Sequence, residues 1–140
     1  MQLYSTNNKS LVVSFRDAVL YGLAPDGGLY MPLELPRMPA DFFVQLQGKS
    51  LPEIAYALAY ELLHEDVPQE VLRHIIQEAI NFDAPLVRLN ETTYVLELFH
   101  GPTLAFKDFG ARFMARLMSY LVRDSDRELT ILVATSGDTG

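Results

Sequence analysis

HGPTLAFKDFG, His100 to Gly110, is the stretch on which the reading of this chain turns, because it sets a lysine, Lys107, among apolar residues at the expected start of a helix. Upstream of it, YVLELF (Tyr94 to Phe99) reads as a strand. Downstream, Phe109, Phe113, Met114, Leu117, Tyr120 and Leu121 recur at helical spacing while Arg112, Arg116 and Arg123 fall elsewhere, which predicts an amphipathic helix over 108–123. The uninterrupted apolar run Ile131 to Ala134 reads as a strand buried on both faces, and it passes into a Ser/Gly/Asp/Thr/Gly turn of the kind that opens a helix. Strand, lysine loop, helix, strand and Ser/Gly loop make a βαβ unit, whose strands are expected to be parallel and whose crossover is expected to be right-handed. Ligands of such sheets bind at the carboxyl ends of the strands. Lys107 and the Ser/Gly loop are therefore expected to face one pocket.

A lysine at that place needs a physical reason. Helix N-termini favour anions, so an ammonium in the first turn is mildly destabilised, and packing Leu104, Phe106 and Phe109 around it would desolvate it further. Both effects favour the neutral amine, a nucleophile toward aldehydes. The commoner use of a lysine beside aromatics is to lay its stem along apolar surface with the charge in water, and the residues around Lys107 leave both uses open.

The remainder of the chain reads as support. Gln2 to Ser5 is expected as a short strand, and Ser14 with Asp17 caps a helix ending near Gly22. Pro25 to Gly28 (PDGG) is a turn, either merely tight or bringing backbone close to a ligand, and Pro32 to Pro39 is expected to be irregular surface chain. A short helix is expected at Asp41 to Gln47. Ser50 with Glu53 and Asp66 with Gln69 resemble capping boxes ahead of helices Leu51 to His64 and Val67 to Asn81. The clearest domain boundary lies at Phe82 to Pro85, which divides the chain into residues 1–82 and 83–140. The fold class expected is α/β, a helix-rich N-terminal domain followed by the βαβ unit.

With 140 residues and 49% hydrophobic content, the chain suffices for one modest core or a small domain with part of another. A net charge of -7, with 11 basic residues dispersed, disfavours nucleic acid or an anionic membrane surface as partner, so an anionic substrate must be met by local donors. Without cysteine there is no thiolate metal site or disulfide, and the three histidines lack a metal-binding spacing. The polar opening MQLYSTNNKS and the lack of a long apolar run lead to the expectation of a cytoplasmic protein. His64 and His74 are expected to serve as surface or helix-end residues. His100 has two readings, backbone bonding beside Gly101-Pro102 or a part in catalysis, and Arg112 with Arg116 is either a phosphate clamp or a solvated face.

ELFHGPTLAFKDFGARFMA (Glu97 to Ala115) and ATSGDTG (Ala134 to Gly140) resemble threonine synthases, pyridoxal phosphate (PLP) enzymes of the tryptophan synthase β-subunit type, fold type II. LYS at Leu3 to Ser5, VSFRDAVLYGL at Val13 to Leu23 and DGGLYMP at Asp26 to Pro32 are similar to the opening of the same family. The resemblance implies that Lys107 holds PLP covalently and serves as the catalytic base and acid, that Ser136, Gly137 and Thr139 receive the substrate's α-carboxylate, and that Asp138 lies beside the cofactor. It implies a reaction of O-phospho-L-homoserine with water to give L-threonine and phosphate. A related phospholyase releasing a keto acid and ammonia, and a non-catalytic module of the same fold, are the competing functions. Family members are several times longer, so the chain is expected to be an N-terminal fragment. By itself such a fragment is expected to be inactive, to hold PLP weakly and to self-associate through open strand edges.

Overall fold

The computed structural model describes residues 1–124, 130–132, 134 and 137. Among them the chain forms two compact units, Met1–Arg73 and His74–Gly140.

The first unit opens with strand β1 (Gln2–Ser5), followed by β2 (Val12–Ser14), helix α1 (Phe15–Tyr21) and β3 (Tyr30–Pro32). The strands make an antiparallel sheet in the order β2-β1-β3, with Leu3 opposite both Val13 and Pro32. Only β1 was legible as a strand, since β2 and β3 have three residues each and gain their ladder bonds from β1 rather than from their own pattern. Helix α1 starts where expected: the Asp17 N–H donates to Ser14 Oγ at 3.1 Å, and Gly22, at φ +73°, ends the helix with its N–H on the Ala18 carbonyl. The PDGG segment is a structural turn. Asp26 Oδ1 accepts from Ser5 Oγ at 2.7 Å and from the Gly28 N–H at 3.0 Å, so the turn closes over the buried Ser5 hydroxyl.

Two further helices follow, α2 (Phe42–Gln45) and α3 (Leu51–Leu63), the latter opened by the Ser50 N–H donating to the Glu53 carboxylate at 2.8 Å. Helix α4 (Gln69–Ala79) is shorter than the expected 67–81. Because α4 starts at Gln69, the residue before it is Pro68 rather than Asp66, whose carboxylate receives the Met1 ammonium at 2.7 Å. Along α4, Leu72, Ile75, Ile76, Ala79 and Ile80 are buried at three- and four-residue spacing while Arg73, His74, Gln77 and Glu78 are exposed. The core of the first unit is Leu3, Phe15, Ala18, Phe42, Ala59, Leu63, Val67 and Leu72.

In the second unit, β4 (Leu86–Arg88) pairs antiparallel with β5 (Tyr94–Leu96), and helix α5 (Lys107–Val122) follows. The hairpin turns on Asn90, whose Oδ1 accepts the Thr92 and Thr93 N–H groups, both at 3.0 Å. Strand β5 thus lies within the expected 94–99 segment, and its partner among the described residues is antiparallel rather than parallel. Of the expected buried strand at 131–134, Val133 lies outside the described residues, while Ile131, Leu132 and Ala134 adopt no strand, and Ile131 and Leu132 are 57% and 91% exposed. An apolar run becomes a central strand only beside neighbours that supply ladder partners and cover its faces, and among the described residues nothing pairs with it. Ile75, Ile76, Ala79, Ile80, Leu117 and Leu121 form the buried apolar set of this unit. No helix among the described residues is long and apolar enough to cross a membrane.

Candidate active site

Lys107 is the first residue of α5, with Phe106 in the capping position and no side-chain cap bond. Its side chain is half-buried in the wall of a depression of about 250 Å³, together with Pro102, Thr103, Asp108, Ala111, Arg112, Ala115 and Arg116. The helix-start placement matches the sequence, whereas the apolar packing does not: Leu104 and Phe106 are 73% and 62% exposed. The turn carrying them leaves their side chains at the surface rather than packed around the lysine.

That turn is held by a device that no local sequence pattern announces. The Leu104 N–H donates to the Gly101 carbonyl at 3.1 Å, and Leu104 itself has φ +59°. Such a backbone is rare for a large side chain. Asp108, 4% exposed, accepts the Thr103 N–H on Oδ2 at 2.9 Å and the Thr103 hydroxyl on Oδ1 at 2.7 Å. Gly101 lies so close that a Cβ there would overlap Asp108 Oδ2 and stand 2.8 Å from its Cβ. An acid in the first helical turn was a visible signal, since negative charge is stabilised there, but its partner five residues upstream was not.

Farther along α5, Arg112 answers the phosphate-clamp question. Its Nε donates to the Ala79 carbonyl at 2.9 Å, one Nη to the Glu78 carbonyl at 2.8 Å and to Asn81 Oδ1 at 3.1 Å, and the guanidinium sits 5.8 Å from the centre of the Phe82 ring. It satisfies the open carbonyls at the end of α4. Arg116 Nε donates to Glu78 at 3.1 Å. Phe82 also packs on Phe109 with ring centroids 4.7 Å apart. These contacts seat the body of α5, so the lysine at its head projects from a fixed helix.

Among the described residues His100 pairs with a side chain: its Nε2 lies 2.7 Å from Glu97 Oε2, and its ring stacks on Phe99. His64 Nδ1 is 2.9 Å from the Tyr60 carbonyl at the end of α3, and His74 faces Glu78 at 3.5 Å. Gly137 adopts φ +114°, a conformation open to glycine. Ser136, Asp138 and Thr139 lie outside the described residues. A second depression of about 430 Å³, lined by Met1, Leu33, Leu35, Glu61, His64 and Glu65 among others, carries none of the sequence-predicted residues.

The sequence family described as threonine synthase N terminus matches residues 2–80. The chain belongs to the threonine synthase family. Threonine synthases of Haemophilus influenzae and Escherichia coli K12 are 43% and 38% identical to it over 140 residues, covering 100% of this chain and 32% of each relative. The chain thus spans about a third of the length of the curated relatives it matches. In three dimensions it is similar to the PLP-bound threonine synthase of Brucella melitensis, with a TM-score of 0.82 and 40% identity over 89% of this chain and 28% of that one. The E. coli threonine synthase crystal structure aligns with a TM-score of 0.83 and 35% identity over 89% of this chain and 29% of that one. These likenesses establish a mixed α/β architecture of the threonine synthase kind.

The residues present fit PLP as far as they reach: a primary amine, half-buried, stands in the wall of a depression. An aldehyde-bearing cofactor requires a nucleophilic amine within reach.

Proposed function

We propose that the full-length protein carrying this chain converts O-phospho-L-homoserine and water to L-threonine and phosphate in the cytoplasm, with PLP held on Lys107. The observation that carries this reading is the placement of Lys107 as first residue of α5, half-buried in the wall of a depression, in a chain of the threonine synthase family. When bound, PLP supplies the electron sink for carbanions next to the amino-bearing carbon. Lys107 Nζ carries protons between the substrate's α, β and γ carbons, base and acid in turn. Ser136, Gly137 and Thr139 receive the α-carboxylate through backbone N–H groups and hydroxyls, with Asp138 beside the cofactor. The positive φ of Gly137 supports a loop of that kind.

The same reading assigns residues 1–82 to an N-terminal domain and 83–140 to the opening of the fold type II catalytic domain. In it, 94–99, α5 and 131–134 form the first βαβ unit once neighbouring strands lie beside them. The exposed apolar residues Leu86, Tyr94, Leu96, Ile131 and Leu132 support self-association of the 140-residue chain when it is separated from such neighbours.

The test is incubation of the full-length protein with PLP and O-phospho-L-homoserine, then borohydride reduction and peptide mapping of the cofactor-loaded protein. Threonine with phosphate, and a pyridoxyl label on Lys107, is the expected result. Release of 2-oxobutyrate and ammonia instead would replace synthase with phospholyase, a label on Lys9 or Lys49 would sink the lysine assignment, and no PLP uptake would leave a non-catalytic module.

A further inference from the structure

We propose that Asp108 is a positioning residue for Lys107: clipped to Thr103, it holds the turn 101–106 in the conformation that presents the lysine amine to the cofactor's aldehyde. This rests on the assignment of PLP to Lys107. The body of α5 is fixed by Arg112 on the Glu78 and Ala79 carbonyls, but that anchor lies more than one turn beyond the lysine. At the head of the helix the capping residue, Phe106, offers no side-chain cap bond. Little packing holds the preceding turn outside Gly101 and Ala105, since Pro102, Thr103, Leu104 and Phe106 are exposed. Yet the turn contains Leu104 at φ +59°, a strained backbone that persists only where the surroundings impose it.

Among the described residues, the group that imposes it is the Asp108 carboxyl. One oxygen takes the Thr103 N–H, the other the Thr103 hydroxyl, and Gly101 is pressed against its carbon atoms. Two bonds to the same residue determine both the position and the rotation of the peptide at 103, which a single bond would leave free to swing. With Thr103 pinned from behind and α5 pinned ahead, Lys107 has one backbone placement. Release of the clip lets the strained turn relax, so the lysine must be reordered each time it captures the cofactor, and capture weakens by that amount.

The experiment uses the full-length protein and its Asp108→Ala, Thr103→Val and Thr103→Ser variants, with Lys107→Ala as control. Three quantities are read: the PLP dissociation constant, the pH midpoint of the visible absorbance of the lysine-bound cofactor, and hydrogen exchange of the Thr103 amide without PLP. The expected results are at least about tenfold weaker PLP binding and a displaced midpoint for Asp108→Ala, with faster exchange at Thr103, because a bond to a charged group is lost. Thr103→Val, which removes only the hydroxyl, is expected to weaken binding by about threefold to tenfold, and Thr103→Ser to restore it. If Asp108→Ala does not fold, the valine and serine pair decides alone, and equal affinity and midpoint in both overturns the proposal. A lowered melting temperature with affinity and midpoint unchanged also overturns it, since that is a merely structural role. If Lys107→Ala still captures PLP covalently, the lysine assignment itself has failed; if it loses capture while the Asp108 and Thr103 variants bind like the parent, the positioning role alone has failed.

Discussion

Two turns in this molecule use the same parts in opposite ways. In the first unit Asp26 accepts the Ser5 hydroxyl and the Gly28 N–H; in the second Asp108 accepts the Thr103 hydroxyl and the Thr103 N–H. Each has a glycine pressed against the bonded pair, Gly28 on Ser5 and Gly101 on Asp108. In the first turn the hydroxyl is buried and the acid exposed, and the left-handed position is filled by Gly27 at φ +79°. In the second the acid is buried, the hydroxyl residue is exposed, and the left-handed position is filled by Leu104. The PDGG turn is relaxed and serves the sheet. The turn before Lys107 stores strain and depends on one carboxyl group to keep it, an arrangement common where a side chain must be presented rather than merely packed.

The largest effect expected from this comparison is at the two pressed glycines. A Cβ on Gly28 would overlap Ser5 Oγ and stand 2.9 Å from the Asn7 backbone nitrogen, whereas the three atoms nearest one on Gly101 all belong to the Asp108 side chain. Gly28→Ala is expected to destabilise by the upper end of roughly 1–3 kcal/mol and Gly101→Ala by the lower end, since a side chain yields more easily than backbone. Denaturant unfolding of both variants checks this. A larger loss at Gly101 would mean that the second turn is the more rigid of the two.

Next in size is the left-handed position itself. Gly27→Ala is expected to cost about 1 kcal/mol, because it puts a Cβ where the chain favours glycine. Leu104→Gly is expected to be neutral or slightly stabilising, within about 1 kcal/mol, since relief of strain offsets the greater freedom of the unfolded chain and the exposed leucine contributes little packing. Equal losses in the two variants would remove the contrast between a relaxed and a strained turn.

The smallest effect is electrostatic. The Ser5 hydroxyl, and then the Gly28 N–H, hold Asp26 below the ordinary carboxylate value of 3.8. Because the folded pKa is the lower one, this contribution is fully present above the unfolded value and is lost as the pH falls through the folded value. Melting temperatures measured above and below pH 3.8 should therefore fall less steeply with acid in Asp26→Asn than in the parent. An unchanged acid limb would show that the exposed carboxylate is too well solvated to matter.

What could be read ahead of the structure depended on range. Ser14 with Asp17, Gly22, and Ser50 with Glu53 were legible because each satisfies helix-end groups within four residues of itself. Lys107 at the head of α5 was legible from the apolar positions that recur at helical spacing after it. Asp66 looked equally like a cap, yet the Met1 ammonium lies against it, 65 positions away in the chain. Arg112 looked like half of a clamp or part of a wet face, and it proved to close the end of α4, 33 residues upstream.

By itself, then, the sequence determined the helices, their caps, the lysine's station at a helix start and the family to which the chain belongs, because periodicity, capping and a contiguous motif are local properties. Tertiary structure alone decided that β1 has two antiparallel partners, that β5 pairs with β4, that Leu104 and Phe106 stand exposed beside the lysine, and that Asp108 reaches back to Thr103. A hydrogen-bonding group shows in sequence what it can bond, but its choice among partners is made by which of them the packed chain brings within about 3 Å.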